Sequence, residues 1–413
     1  MNVSRWRWRV AATPLLAARV GVFTVVGYLG VLTAAAWTAR RRPAAPPVPP
    51  RRRFAFLVPA HDEERSIERT LVSLLAIDHP SDRYEIHVVA DNCTDATVTV
   101  AERVALEHPG RVMVHDRVAP DRRGKGPALE WLMGRIADRG HDAYVFVDAD
   151  TTVTPGFLGA VEPLLAAGHE VVQGHYAVRD IEASPLVAFR AAALAARTFL
   201  RPLGRNQIGG SAGLYGNGMV FSPRVLATRH WSDHLVEDIE LHLDLLLDGC
   251  LVRFAPDAVV RAEMPDSLDA ASTQHARWER GRVEMMARYR GRLWRGVVRG
   301  GGPGRVAHLD ALMDQAVPPL SVVVAASGGW WLAAVTRWLG SRRRRGGLDV
   351  VVASGLGAVQ VVYVLSALRM TGAPATVYRA LLLAPRMTLW KLGLWARALR
   401  SRDVTWERTE RNS

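Results

Sequence analysis

The sequence predicts an α/β domain built on a mostly parallel sheet and flanked by membrane helices. Three observations predict it. Short apolar runs alternate with longer helical patterns from Phe54 to Ala167, an apolar stretch from Pro14 to Ala39 precedes them, and the composition turns apolar again after about residue 305. With 413 residues, 49% of them hydrophobic, the chain can bury one sizeable core and still supply several spans, and a disordered chain is excluded.

Pro14 to Ala39 carries a single charge, Arg19, and is long enough to cross a bilayer core of roughly 30 Å, so it reads as a transmembrane helix. A cleaved signal peptide is the lesser alternative, because Arg5, Arg7 and Arg9 precede an apolar stretch ending in Ala34, Ala35 and Ala36. Arg40 to Arg53 holds Pro43, Pro46, Pro47, Pro49 and Pro50 and predicts an extended, semi-rigid linker. Six arginines follow the helix against three before it, which puts the next domain in the cytoplasm. Phe54 to Pro59, Glu85 to Ala90, Val112 to His115 and Tyr144 to Val147 read as buried strands. Glu63 to Ala76, Asp95 to Glu107, Pro127 to Asp138 and Pro155 to Ala167 read as helices, and the alternation predicts a ligand crevice at the strand carboxyl ends. Ala316 to Leu339 and Leu348 to Leu368 read as further spans, and Thr376 to Arg400 as an amphipathic surface segment. The organisation is thus a membrane helix and linker at 1–53, a catalytic domain at 54–305 and a membrane region at 306–413. A two-span hairpin in the last part places Arg342 to Arg345 outside, against the charge bias.

The formal charge of +13 is almost wholly arginine, since Lys125 and Lys391 are the only lysines. The arginine clusters adjoin apolar runs, so anionic lipid headgroups explain them, and no nucleic-acid-binding signature accompanies them. Cys93 and Cys250 lack any C-x-x-C spacing, which excludes a disulfide framework and fits a reducing compartment.

Asp148-Ala149-Asp150 directly follows the strand Tyr144 to Val147, so two carboxylates emerge at the sheet's carboxyl edge. Hard Mg2+ or Mn2+ ions prefer such oxygen ligands and share them with phosphates. Asp91 repeats the logic one strand earlier, where a carboxylate can accept from a uracil ring or ribose, while Asp95 reads as a helix cap. Arg123-Gly124-Lys125-Gly126 suits a phosphate contact at a helix start, with a solvated basic loop as the bland alternative. Glu237-Asp238 opens a helical run, and Asp238 is the candidate general base; both acids would also favour a helix N-terminus. Gln274, Arg277 and Trp278 share one helical face, offering an amide, a cation and a stacking surface. His230 and His234 stand at i and i+4 without a third zinc ligand at sensible spacing.

Taken in order, Pro59-Ala60-His61-Asp62-Glu63-Glu64, Asp91, Asp148-Ala149-Asp150, Glu237-Asp238 and Gln274-His275-Ala276-Arg277-Trp278 resemble the family 2 glycosyltransferases. More narrowly they are similar to the membrane-bound branch with a D, D-x-D, E-D, Q-x-x-R-W signature, which includes cellulose, hyaluronan and exopolysaccharide synthases. The resemblance covers about residues 54 to 290. It implies a GT-A fold, an inverting displacement, a UDP-sugar donor and Mg2+ or Mn2+. Ala60, Glu63, Asp91 and Lys125 would hold nucleotide and diphosphate, Asp148 and Asp150 ribose, phosphate and metal, and Asp238 would be the base. Glu237, Gln274, Arg277 and Trp278 would line the donor and acceptor pocket. Gly216 to Phe221 resembles the family's acceptor-side loop. Val236 replaces the threonine of many processive members, and about three spans are too few for a translocation channel, so transfer to a glycan or lipid-linked acceptor, or polymerisation with export partners, is expected at the plasma membrane. A sugar nucleotidyltransferase and an inactive membrane-bound binding protein are the readings from other classes.

Overall fold

The structure is a computed structural model that describes residues 3–42, 46, 48–227, 237–264, 268–341 and 344–400. Each of the four expected strands forms, because continuous apolar runs suit strands buried on both faces. They are β1 (Phe54–Ala60), β2 (Tyr84–Asp91), β3 (Val112–Arg117) and β4 (Ala143–Phe146). Four more complete the sheet: β5 (Thr151–Val153), β6 (Val171–Val178), β7 (Met219–Phe221) and β8 (Arg253–Ala262). Their order is β3-β2-β1-β4-β7-β6-β8-β5. Neighbours β1, β2, β3 and β4 run parallel, as do β6 and β8, whereas β7 is antiparallel to both β4 and β6, and β5 to β8. The sheet is therefore mixed and mostly parallel.

The reversal at β7 positions the site. Phe146, the last residue of β4, pairs with Met219, the first of β7. The loop that enters β7 consequently meets the turn that leaves β4, on the edge where β1 and β2 also end.

One face of the sheet packs Phe56, Val58, Ile86 and Val145 against the helices Ile67–Leu75 and Phe157–Ala166. The other packs Leu57, Val89 and Phe146 against the helix Lys125–Ile136, and this core continues to Leu29 of the first helix and Tyr363 of a late one. Among the described residues, three helices contain stretches long and apolar enough to cross a membrane: Leu16–Arg40, Leu320–Gly340 and Gly347–Met370. The first lies so close to the helix Arg201–Gln207 that a Cβ on Gly204 would collide with the Leu32 carbonyl oxygen. A buried ionic cluster seals the same junction. Arg205 donates to Asp310 at 2.8 Å, Arg201 to Asp314 at 2.6 Å, and the Tyr28 hydroxyl to Asp310 at 2.8 Å.

The carboxy-terminal part departs from expectation in detail. The helix Gly302–Ala316 packs its Ala307 and Ala311 on Met285, Tyr289 and Leu293 of the helix Leu268–Arg299. Pro318 and Pro319, which cannot donate to a helix interior, separate it from the span that begins at Leu320. The amphipathic segment is broken into Ala375–Ala380, a 3₁₀ turn Leu381–Leu383 and Ala384–Arg400, with Pro385 at the start of the last piece, where a missing N–H costs nothing.

Candidate active site

β1 and β2 end side by side, Ala60 opposite Ala90, and both chains turn through left-handed residues, Asp62 (φ 54°) and Asn92 (φ 51°). Short polar side chains tolerate that conformation because they bond locally. The Asp62 carboxylate accepts from Thr94 N at 2.7 Å, and His61 Nδ1 lies 2.6 Å from the Asp91 carbonyl. Asp95, expected to cap the helix Thr97–Glu107, lies one residue before its N-cap, Ala96, and its carboxylate accepts from Thr97 N at 2.9 Å. Ala60 is buried at the strand end, and the buried Glu63 carboxylate accepts from the Ser66 hydroxyl at 2.8 Å.

Asp91, the last residue of β2, is also buried. Its carboxylate pairs with Arg117, accepts from Asn92 Nδ2 at 2.9 Å and from Gly124 N at 3.3 Å. It thereby anchors the loop before Lys125, a task the sequence did not reveal. Gly124 has φ 120°, open to glycine alone among common residues.

Lys125 Nζ is the bridge of the site. It donates to Asp148 Oδ1 at 2.5 Å and to the Gly216 carbonyl at 2.6 Å. Burial favours its neutral amine, yet Asp148, Glu237 and Asp238 together hold its pKa above the ordinary lysine value. Gly216 (φ 75°) abuts the base candidate, since a Cβ there would stand 3.6 Å from Asp238 Oδ2. The contacts Asp91, Gly124, Lys125, Asp148, Gly216 and Asp238 are thus continuous, and residues scattered over the chain share one rim.

Two carboxyls at that rim are strongly perturbed. Burial, then the neighbouring charge of Asp148, pushes Asp150 up to about 6. Burial, then Glu237, pushes Asp238 up to about 7, against the pull of Arg197 and Lys125. Burial and the charges of Asp150 and Asp148 likewise raise the Tyr176 hydroxyl. Carboxylates crowded in this way, one already borrowing an ammonium ion, make an arrangement that a divalent cation relieves.

Gln274, Arg277 and Trp278 fall on the helix Leu268–Arg299, but their side chains lie outside the described residues, as do His230, His234 and Val236. Two buried amides lie beneath the rim: Gln173 of β6, which sequence reasoning missed, and Asn217, whose loop before β7 it named without giving this residue a task. Among the described residues, two further clusters bring potential metal ligands together: Glu85, His87 and His141, and Asp62, Cys93 and Asp95. In the first, Arg139 Nε donates to Glu85 at 2.8 Å and Arg53 approaches at 3.4 Å, so guanidinium groups already supply the positive charge.

Residues 49–281 match the family described as glycosyltransferase like family 2. A beta-monoglucosyldiacylglycerol synthase of Synechocystis is 29% identical over 231 residues, 55% of this chain and 47% of the relative. The probable glycosyltransferase YdaM of Bacillus subtilis is 26% identical over 243 residues, 57% of each chain. The chain therefore spans about half the length of the curated relatives it matches. Among solved structures, a mannosyltransferase from Pyrobaculum calidifontis in complex with GDP-Man and Mn2+ superposes with a TM-score of 0.52 over 85% of this chain and 98% of that one, at 19% identity. That likeness identifies the GT-A fold. With the family match extending over more than half its length, the chain belongs to glycosyltransferase family 2.

Proposed function

We propose that the protein is an inverting glycosyltransferase that moves one sugar from a UDP-sugar to a lipid or lipid-linked acceptor at the membrane. The observation that carries this reading is the unbroken run of contacts joining Asp91, Lys125, Asp148 and Asp238 at the carboxyl edge of the sheet. Ala60, Glu63 and Asp91 take the nucleotide. Asp148 and Asp150 would hold Mg2+ or Mn2+, which lends positive charge to a departing diphosphate. Asp238, with a pKa brought near neutrality, takes the proton of an acceptor hydroxyl as its oxygen attacks the anomeric carbon and the bond to the diphosphate breaks on the opposite face. Gln274, Arg277 and Trp278 complete the pocket. Glu237 keeps the base's affinity for a proton high.

The acceptor assignment leans on two supports. Among the described residues, three apolar helices share a hydrophobic core with the sheet that carries the site, and the Synechocystis relative is named for a glycolipid product. The arginine-rich linker supports a catalytic domain on the cytoplasmic side of a multi-pass protein. The five ordered motifs favour a resemblance to the cellulose and hyaluronan synthase-like branch, with single addition favoured over self-contained export.

The test is product analysis. Purified protein in lipid nanodiscs, given a panel of UDP-sugars, should release UDP and yield a membrane lipid heavier by one sugar. Asp150→Ala and Asp238→Asn should each abolish that product. Formation of UTP and sugar 1-phosphate from UDP-sugar and added pyrophosphate, with no release of UDP, would make the protein a nucleotidyltransferase, and product from either variant would contradict the assigned roles.

A further inference from the structure

Asn217, in the loop before β7, lies beneath the rim and reaches the D-x-D turn. It is fully buried, as are Gln173 and Thr151. Its Oδ1 accepts from the backbone N–H of Asp148 at 3.2 Å. Its Nδ2 donates to Thr151 Oγ1 at 2.8 Å, and that hydroxyl in turn donates to Asp150 Oδ1 at 3.2 Å. A hydroxyl can accept and donate at once, so the three groups form a directed relay from amide to carboxylate. The backbone of Asn217 is held as firmly. Gln173 Nε2 donates to its carbonyl at 2.8 Å, Gln173 Oε1 accepts from Tyr215 N at 3.1 Å, and Gly218 N donates to the Phe146 carbonyl at 2.8 Å.

We propose that Asn217 is the positioning residue for both aspartates of the D-x-D turn, setting Asp148 through its main chain and Asp150 through Thr151. This rests on the assignment of Asp148 and Asp150 as the divalent-ion site. A single amide bonded to both halves of a two-carboxylate turn fixes their separation, whereas two independent partners would let each drift. The same loop carries Gly216, whose carbonyl takes the Lys125 ammonium and whose α-carbon faces Asp238. Asn217 therefore keeps the ion-holding pair in register with the base. Supporting groups of this kind typically change metal affinity about 10- to 100-fold when removed.

The discriminating substitutions are in Thr151, which has nearly the same shape as valine. Mn2+ binding to the purified full chain in the presence of UDP is followed by electron paramagnetic resonance, with thermal melting of each variant alongside. Thr151→Val, which keeps the volume and loses the hydroxyl, should weaken Mn2+ binding about tenfold or more. Thr151→Ser, which keeps the relay, should stay within about twofold of the wild type. Asn217→Ala should weaken binding at least as much as Thr151→Val. Wild-type affinity in Thr151→Val, or equal losses in the serine and valine variants, would overturn the proposal while leaving the site assignment intact. Absence of UDP-dependent Mn2+ binding in the wild type would overturn the site assignment itself, and the relay with it.

Discussion

Replacing Asp238 by asparagine removes one ionisable proton and leaves the shape of the site. In the folded chain, burial and then the charge of Glu237 push this carboxyl up to about 7, against about 3.9 for an unhindered aspartate. Three pH units correspond to on the order of 4 kcal/mol, an upper figure because Glu237 shares the titration. The sign follows from which state keeps the proton. The folded chain holds it to about pH 7 and the unfolded chain sheds it near pH 4, so stability present in acid is lost as the pH climbs through that window. Asparagine cannot ionise and escapes this loss. Melting midpoints of wild type and Asp238→Asn in detergent should therefore nearly coincide at pH 4.5 or so and separate by pH 8, with the variant the more stable. Transfer should behave in the opposite sense: wild-type activity rises through a limb near neutrality, while the variant is reduced by about 10²- to 10⁴-fold. Melting curves that keep a constant offset over this range would refute the claim that the half-buried Asp238 carboxyl sits beside a like charge.

Three further outcomes follow from individual contacts. Lys125→Met removes the ammonium shared by Asp148 and Gly216, and should lower kcat/KM about 100-fold in a UDP-release assay; an unchanged value would remove Lys125 from the site. Gly218→Ala places a Cβ 2.9 Å from Val260 Cγ2 at φ 66°, so its melting midpoint should fall by several degrees, from about 1–2 kcal/mol of backbone penalty plus crowding. Gly204→Ala drives a Cβ against the Leu32 carbonyl and should cost about 1–3 kcal/mol, read as a lower midpoint in detergent; full stability would mean that the first helix does not cross there.

What the sequence could express was the parallel half of the sheet. Phe54–Ala60 and Tyr84–Asp91 are largely apolar runs, buried on both faces, and a run of that length stands out without any alternation. The other half is written in a weaker script. β5 and β7 have three residues each, too few to show alternation, and β8 contains Pro256, Asp257 and Arg261. β6 carries Gln173 and His175, both buried, which look like loop residues in a linear string. The same limit applies to the site. Asp91, Asp148, Asp150 and Asp238 stand at element ends, where local reasoning can find them. Asn217 and Gln173 matter only through partners about 40 to 70 positions away, and no local pattern encodes such a pairing. Lys125 was legible as a cation at a helix start, but its grip on Asp148 required the fold.

The account depends on Asp150 and Asp238 serving one reaction centre. Diffraction from crystals of the full chain grown with Mn2+ and a non-transferable UDP-sugar, collected at the manganese edge, tests this directly. The anomalous peak should lie about 2.1 Å from a carboxylate oxygen of Asp150, with the anomeric carbon of the sugar turned toward Asp238. A peak on Glu85, His87 and His141, or a sugar bound away from Asp238, would contradict it.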